Sequence, residues 1–303
     1  MNTRLLFCVF SFNRGRFLEH CISTIEQCVP DADIAIFDDE SYDDYTREVL
    51  ARFADKHEVL QPGNQSTHKL GGLYGNMQSA LEYAADRSLV CFLQDDMQIV
   101  RPLASDEIAG FDRTFDENPN LAFLHPCFLK GINRERDVST LDFNPDLAAY
   151  RRSDTGQSAG QYFSAILIVR PSRLLDKGWL FRRNEPENDQ QARQHFERIG
   201  HLFSPFAMWL PEVPAYRGKR KTLALKLAER ARGCGLYPYK IMSEQEVRNL
   251  NTRSSDVLPI AEDFLECTNS NLPTPWGYYP MQGSRWLKKL NSLELALRRL
   301  FKL

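Results

Sequence analysis

The chain has 303 residues, 43% of them hydrophobic, and a formal net charge of −2 at pH 7. That length and apolar content suit one large α/β domain or two small ones, and a charge so near zero provides no global field to draw nucleic acid. Seven scattered cysteines without a CxxC pair argue for reduced, buried thiols in a cytosolic protein; no apolar run reaches membrane-spanning length, and the polar residues after the first run do not form a signal-peptide cleavage site.

Residues 5–12 read as a strand that runs into a helix over about 16–28, with Phe17, Leu18, Cys21, Ile22 and Ile25 on one face. A second strand, 33–38, leads into a helix over about 43–56 that buries Val49, Leu50 and Phe53. A short strand at 58–61 stops at Pro62-Gly63. A polar loop covers 64–69, a helix spans about 72–86, and a strand follows at 89–94. This alternation predicts an α/β fold: a Rossmann-like, mostly parallel sheet with helices on both faces. Apolar strands without alternation are what a sheet covered on both sides requires.

After Pro102 the rhythm loosens. Residues 121–124 and 166–169 read as two more buried strands, 131–160 as a polar, loop-rich stretch, and 188–199 as a helix closed by Gly200 as its C-cap. Beyond Tyr216 the composition turns basic, with Lys219, Arg220, Lys221, Lys226, Arg230 and Arg232. The end spaces Leu290, Leu293, Leu297 and Leu300 by threes and fours, among Arg285, Lys288, Lys289, Arg298, Arg299 and Lys302.

Chemistry-bearing residues gather at strand ends, where open α/β sheets bind ligands. Asp95-Asp96 follow strand 89–94. Neighbouring side chains on a strand point to opposite faces, so one carboxylate can serve a ribose and the other Mg²⁺ or Mn²⁺, ions that take one or two carboxylates plus phosphate oxygens. A solvated turn is the plainer reading. Asp38-Asp39-Glu40-Ser41 either accept from a nucleobase N–H or cap the next helix. Ser11-Phe12-Asn13-Arg14 offers an aromatic face, an amide and a phosphate-reaching cation, or is an ordinary strand-to-helix turn. Asn188-Asp189, with Glu185 and Glu187 just upstream, puts carboxylates at a helix start, where the helix dipole favours them. Their functional reading is a general base. The six histidines show no metal-ligand spacing, and no GxxxxGK loop is present.

Taken in order, these pieces resemble the inverting glycosyltransferases of family 2, which have the GT-A fold. The matching segments are Val9-Phe10-Ser11-Phe12-Asn13-Arg14, Ala35-Ile36-Phe37-Asp38-Asp39-Glu40-Ser41, Asn76, Gln94-Asp95-Asp96, the stretch from Gly160 to Arg170, and Asn188-Asp189 through Gly200. They cover about residues 4–217. The resemblance implies a GT-A domain over 1–217, with a nucleotide-binding half at 1–100 and an acceptor half at 101–217. Residues 218–303 are left as a basic C-terminal extension ending in an amphipathic helix. It also implies metal-assisted transfer, with inversion, from a nucleotide sugar to a hydroxyl of a glycan or lipid-linked acceptor, as in polysaccharide biosynthesis. A UDP-sugar is the default donor, since an Asp can pair with the uracil N–H.

By the same resemblance, Asp39 contacts the nucleobase while Phe12 stacks on it, Asp95 approaches the ribose, and Asp96 holds Mn²⁺ or Mg²⁺ against the diphosphate. Ser11, Asn13, Arg14, Lys69 and Asn76 complete the donor pocket, and Asp189 is the base. Three positions depart from the family pattern. Asn188 stands where the family has Glu, which brings Glu187 into contention as base. Gly75 stands where an Arg is usual, leaving Lys69 to substitute. Tyr216 stands where a metal-binding His is often found. A second reading is a non-catalytic GT-A domain that binds nucleotide or glycan and acts as a scaffold. The basic tail either lies on an anionic membrane or packs on the catalytic domain or a second subunit through 285–303. The expected location is cytoplasmic or peripheral at a membrane.

Overall fold

The computed structural model of the protein describes residues 4–61, 72–153, 160–215 and 221–300, with the backbone alone at 299. Lys69 and Tyr216 lie outside the described residues.

The first half follows the expected alternation to within a turn at each boundary. It runs β1 (Leu5–Ser11), α1 (Gly15–Cys28), β2 (Asp33–Asp38), α2 (Asp44–Phe53), β3 (Glu58–Leu60), α3 (Leu73–Tyr83) and β4 (Leu89–Gln94). β1 lies in parallel between β2 and β4, and β3 joins the far side of β2. Alternate residues of β1 serve opposite faces. Leu5, Phe7 and Val9 pack with Leu18, Ile22 and Ile25 of α1, while Leu6, Cys8 and Phe10 pack with Met77, Ala80 and Leu81 of α3. Burial on both faces is why these strands are apolar throughout. All seven cysteines are free thiols, six of them buried.

The second half departs from the sequence expectation. β5 (Met97–Ile99) turns straight out of the acidic pair, and α4 (Ser105–Glu117) and β6 (Phe123–His125) follow. The stretch expected to be loop-rich instead holds a 3-10 turn (Gly131–Asn133), α5 (Arg134–Thr140) and a hairpin of β7 (Leu141–Asn144) with β8 (Ala149–Arg152). Its polarity belongs partly to internal pairing, as in the buried Arg152–Asp137 contact at 2.8 Å. β9 (Leu167–Val169) inserts antiparallel between β4 and β6, followed by α6 (Pro171–Leu175).

Helix α7 (Glu185–His195) starts earlier than the sequence suggests, because the Asn184 side chain caps it by accepting from the Glu187 N–H. Gly200 is not its C-cap; Phe196 is. Gly200 opens β10 (Gly200–Leu202), where a Cβ would meet Leu124 at 2.9 Å, so the glycine serves close strand packing. β11 (Ala207–Trp209) pairs with β5 in a small second sheet. Among the described residues, the main sheet has nine strands in the order β3-β2-β1-β4-β9-β6-β10-β8-β7.

The C-terminal part contains α8 (Leu223–Arg232), α9 (Glu244–Thr252), α10 (Ala261–Phe264) and α11 (Arg285–Leu300). Its middle is not a loose extension. Tyr239, Leu250, Ala261 and Trp276 share a core with Val100, Phe128, Met208 and Leu210. The Gln98 amide also exchanges two 2.8 Å hydrogen bonds with the Tyr239 backbone. α11 packs on α8 through Thr222–Asn291 at 2.6 Å and the Leu223 N–H to Glu294 at 2.7 Å. Among the described residues, no helix is long and apolar enough to cross a membrane.

Candidate active site

The sheet reverses its build-out at β1, with β2 on one side and β4 on the other, which makes the carboxyl ends of these strands a topological switch point. Three expected segments meet there. Ser11 is in register with Asp38, and Phe10 with Gln94. The ladder continues past the strands, since the Asp39 N–H donates to Ser11 O and the Asp95 N–H to Phe10 O.

One group of these residues builds the floor. Asn13 adopts the left-handed region with φ 50°, a backbone conformation that Asn tolerates better than most residues. Its Oδ1 accepts from the Tyr42 and Asp43 N–H groups at 2.8 and 2.9 Å, and its own N–H donates to Ser41 Oγ at 2.8 Å. Ser41 in turn donates its hydroxyl to Asp38 Oδ1 at 2.6 Å and its N–H to Asp38 Oδ2 at 2.7 Å. Asn13 and Asp38 therefore tie the first two strand-to-helix turns together. Ser11 is buried with an unpartnered hydroxyl.

A second group faces outward. Half-buried Asp39 accepts the Gly72 N–H at 2.8 Å, at the start of α3. Burial raises the Asp39 pKa, the Gly72 hydrogen bond opposes that, and Asp38 and Glu40 add to it. A Cβ on Gly72 would stand 1.8 Å from Asp39 Oδ1, so this approach needs glycine. Phe12 meets Tyr42 edge-on, with ring centroids 6.0 Å apart. Tyr42 is an exposed aromatic that sequence reasoning did not single out. Asn76 is buried on α3 beside this group.

The acidic pair is held by Arg14. Its Nη1 lies 2.6 Å from Asp96 Oδ2 and 3.3 Å from Asp95 Oδ1, and its Nη2 donates to Pro214 O at 3.4 Å. Burial opposes the guanidinium charge, but Asp96 and Asp95 outweigh it and raise the Arg14 pKa. Asp95 also accepts the Phe12 N–H at 3.2 Å, and burial pushes its carboxyl upward against the pull of Arg14. Asp96 Oδ1 is buried without a hydrogen-bond partner. No three His, Cys, Asp or Glu side chains converge as a metal site among the described residues. One such orphaned oxygen is still compatible with Mg²⁺ or Mn²⁺, which complete their shells with water and substrate phosphate.

The opposite bank comes from α7 and from residues the sequence did not flag. Asp189 is buried in the second turn of α7, and its Oδ1 accepts four backbone N–H groups, from Gly160, Gln161, Tyr162 and Phe163, at 2.8–3.1 Å. It anchors the turn that precedes β9. Glu187 is exposed and accepts from the Asn184 amide at 2.6 Å, within the helix cap. Glu185 is in the first turn, where burial raises its pKa, Lys130 opposes the rise and Asp189 adds to it. Lys130 Nζ sits 3.6 Å from the Trp209 ring centroid and 4.9 Å from that of Tyr278, an aromatic setting that attracts a cation. Burial lowers the Lys130 pKa, and the charges of Asp96 and Glu185 act on it from either side. Lys130 thus lies within electrostatic reach of both Asp96 and Glu185. A lone Lys between a short strand and a stretch read as loop carries no periodic signal, which is why Lys130 escaped notice.

The acidic pair stands at the switch point of an α/β sheet, the place where such folds bind ligands. The family model for glycosyl transferase family 2 matches residues 7–157, and the chain belongs to that family. No curated protein sequence matches significantly.

Three solved structures are similar in outline. TarS from S. aureus is 15% identical, with a TM-score of 0.45 over 68% of this chain. The mannosyltransferase PcManGT from Pyrobaculum calidifontis, in complex with GDP-Man and Mn²⁺, is 10% identical, with a TM-score of 0.45 over 99% of this chain and 76% of its own. Glucosyl-3-phosphoglycerate synthase from Mycobacterium tuberculosis, in complex with Mn²⁺ and UDP-Glc, is 14% identical, with a TM-score of 0.43 over 78% and 83%. The chain spans 36% of the length of TarS. The family assignment rests on the family model and not on these likenesses.

Proposed function

We propose that the protein transfers a sugar from a nucleotide-sugar donor to an acceptor hydroxyl with inversion, with a UDP-sugar as the first donor to test. The observation that carries this reading is the convergence of Asp39, Asp95 and Asp96 at one switch point, with Asp96 and Glu185 of α7 both within electrostatic reach of Lys130.

In this reading Asp39 accepts from the nucleobase N–H while the Phe12–Tyr42 pair offers its rings to the base, and Asp95 approaches the ribose. Asp96 would hold a divalent ion through its unpartnered oxygen. Such an ion, when bound, supplies positive charge to the leaving diphosphate. Arg14, already in the site, supplies a second cation for the same phosphates. Lys130 adds a third from the acceptor side.

The acceptor oxygen attacks the anomeric carbon as a carboxylate of α7 takes its proton. The bond from that carbon to the diphosphate oxygen breaks, and the nucleoside diphosphate leaves with the electron pair. Attack from the face opposite the leaving group inverts the centre. We assign the base to Asp189, whose Oδ2 accepts from no described residue while its Oδ1 is fixed by four N–H donors. The partly exposed position of Glu185 beside Lys130 favours a second reading in which Glu185 is the base and Asp189 positions it.

The test is turnover of a donor panel of UDP-, GDP- and TDP-sugars with Mn²⁺, comparing the parent protein with Asp96→Ala and Asp189→Asn. Loss of turnover in both supports the reading. Full turnover in both overturns the assigned roles.

A further inference from the structure

The outer face of the α8–α11 pair is unlike the rest of the surface. Nearly half of the exposed large hydrophobic side chains among the described residues stand on these two helices, including Leu223, Leu227, Trp286, Leu293, Leu297 and Leu300. Residues 286, 293, 297 and 300 recur at helical spacing along one side of α11, and 223 and 227 do so on α8. The opposite side of α11, with Asn291, Glu294 and Arg298, is turned toward α8 and the preceding chain. Contiguous apolar surface of this kind marks an interaction site.

The charges around it have one sign. Lys226, Arg230, Arg285, Lys288 and Lys289 are exposed and form no ion pair among the described residues. The acidic groups of the pair are largely withdrawn from solvent. Glu229 binds Lys221 at 2.8 Å, and Glu294 binds Arg298 at 2.7 Å, with acidic side chains only 15% and 20% exposed. In a chain of net charge −2 this is a local basic field. A symmetric dimer would set the same patch against itself and face these cations with their own copies. An anionic bilayer offers them phosphate headgroups, and offers Trp286 and the leucines an acyl boundary.

We propose that the α8–α11 pair is a peripheral docking surface for anionic membranes. In sequence, Pro214, which accepts from Arg14, stands shortly before Thr222, the N-cap of α8. The inference goes beyond the sugar-transfer reading and stands without it.

The experiment sediments the full chain with vesicles of phosphatidylcholine alone and of phosphatidylcholine mixed with phosphatidylglycerol. It compares the parent protein with the double variants Leu293→Ser/Leu297→Ser and Lys288→Glu/Lys289→Glu, with thermal melting of each to verify folding. The expected result is binding to the anionic vesicles only. The lysine variant should weaken it by about tenfold or more, since each basic residue near such a surface is worth on the order of 1 kcal/mol, and the leucine variant by about tenfold or more through lost apolar burial. Equal partition onto both vesicle types overturns the proposal. So does binding unchanged in both variants, or a dimer, seen by light scattering, that the leucine variant dissolves while vesicles go unbound.

Discussion

Arg14 Nη1 and Asp96 Oδ2 are 2.6 Å apart in a site where a divalent cation would compete for the same carboxylate. An arginine in that position offsets part of the charge of the acidic pair, so a free metal ion has to work against it. Replacing Arg14 by Gln removes that competition. The expected outcome is about a tenfold tighter affinity for Mn²⁺ in the absence of donor, read by electron paramagnetic resonance, alongside weaker donor binding. Unchanged Mn²⁺ affinity would show that Arg14 does not guard the site.

The two carboxylates of α7 can be separated by their failure modes. Asp189→Asn should lower kcat by a factor of about 10² or more if this group takes the proton. Asp189→Ala should in addition leave backbone N–H groups of 160–163 unpaired, at a cost of about 1–3 kcal/mol in stability. Glu185→Gln distinguishes the second reading through pH. Burial raises the Glu185 pKa, and a base works only when deprotonated. If Glu185 is the base, the acidic limb of kcat/KM should therefore be shifted upward from the ordinary Glu value. If Glu185 is the base, Gln at this position abolishes that limb together with most of the turnover. If it is not, activity and limb both persist.

Gly72→Ala tests the nucleobase end without touching a reacting group. Its Cβ would overlap Asp39 Oδ1, so the carboxylate has to swing away. The loss of one charge-assisted hydrogen bond predicts a donor KM about tenfold higher or more, with kcat nearly unchanged. A collapse of kcat at constant KM would place Asp39 elsewhere in the mechanism.

Two buried histidines predict acid lability. His125 and His201 pack with ring centroids 5.0 Å apart. Burial, then Lys130, lowers the His125 pKa to about 3, and burial, then His125, lowers that of His201. Depressed histidines contribute stability that is complete above the unfolded value near 6.5 and is lost as pH falls toward the folded one. Chemical denaturation should therefore show His125 alone costing about 2 kcal/mol between pH 7 and pH 5. His125→Phe should flatten that slope, and an unaltered slope would remove the histidine from the account.

The parts of this molecule legible in the sequence are those with a repeating physical constraint. β1, β2 and β4 are buried on both faces, so their apolar runs announced them, and the acidic residues that interrupt those runs marked the switch point. The resemblance then named Asp39, Asp95 and Asp96 together, and the fold places all three at adjacent strand ends. What escaped was set by partners far away in sequence. β5 and β11 are three-residue strands that exist only because they pair with each other. Gly200 looked like a helix stop, but its lack of a side chain answers to Leu124 across the sheet. Arg14 looked like a phosphate ligand, and nothing near it in the chain announces its grip on Asp96.

The amide of Asn13 carries one more implication. By fastening the loop after β1 to the one after β2, it makes two separate strand-to-helix turns depend on one side chain. One oxygen of Asp189 does the same for the 160–163 turn, so each of these two loop clusters hangs on a single side chain.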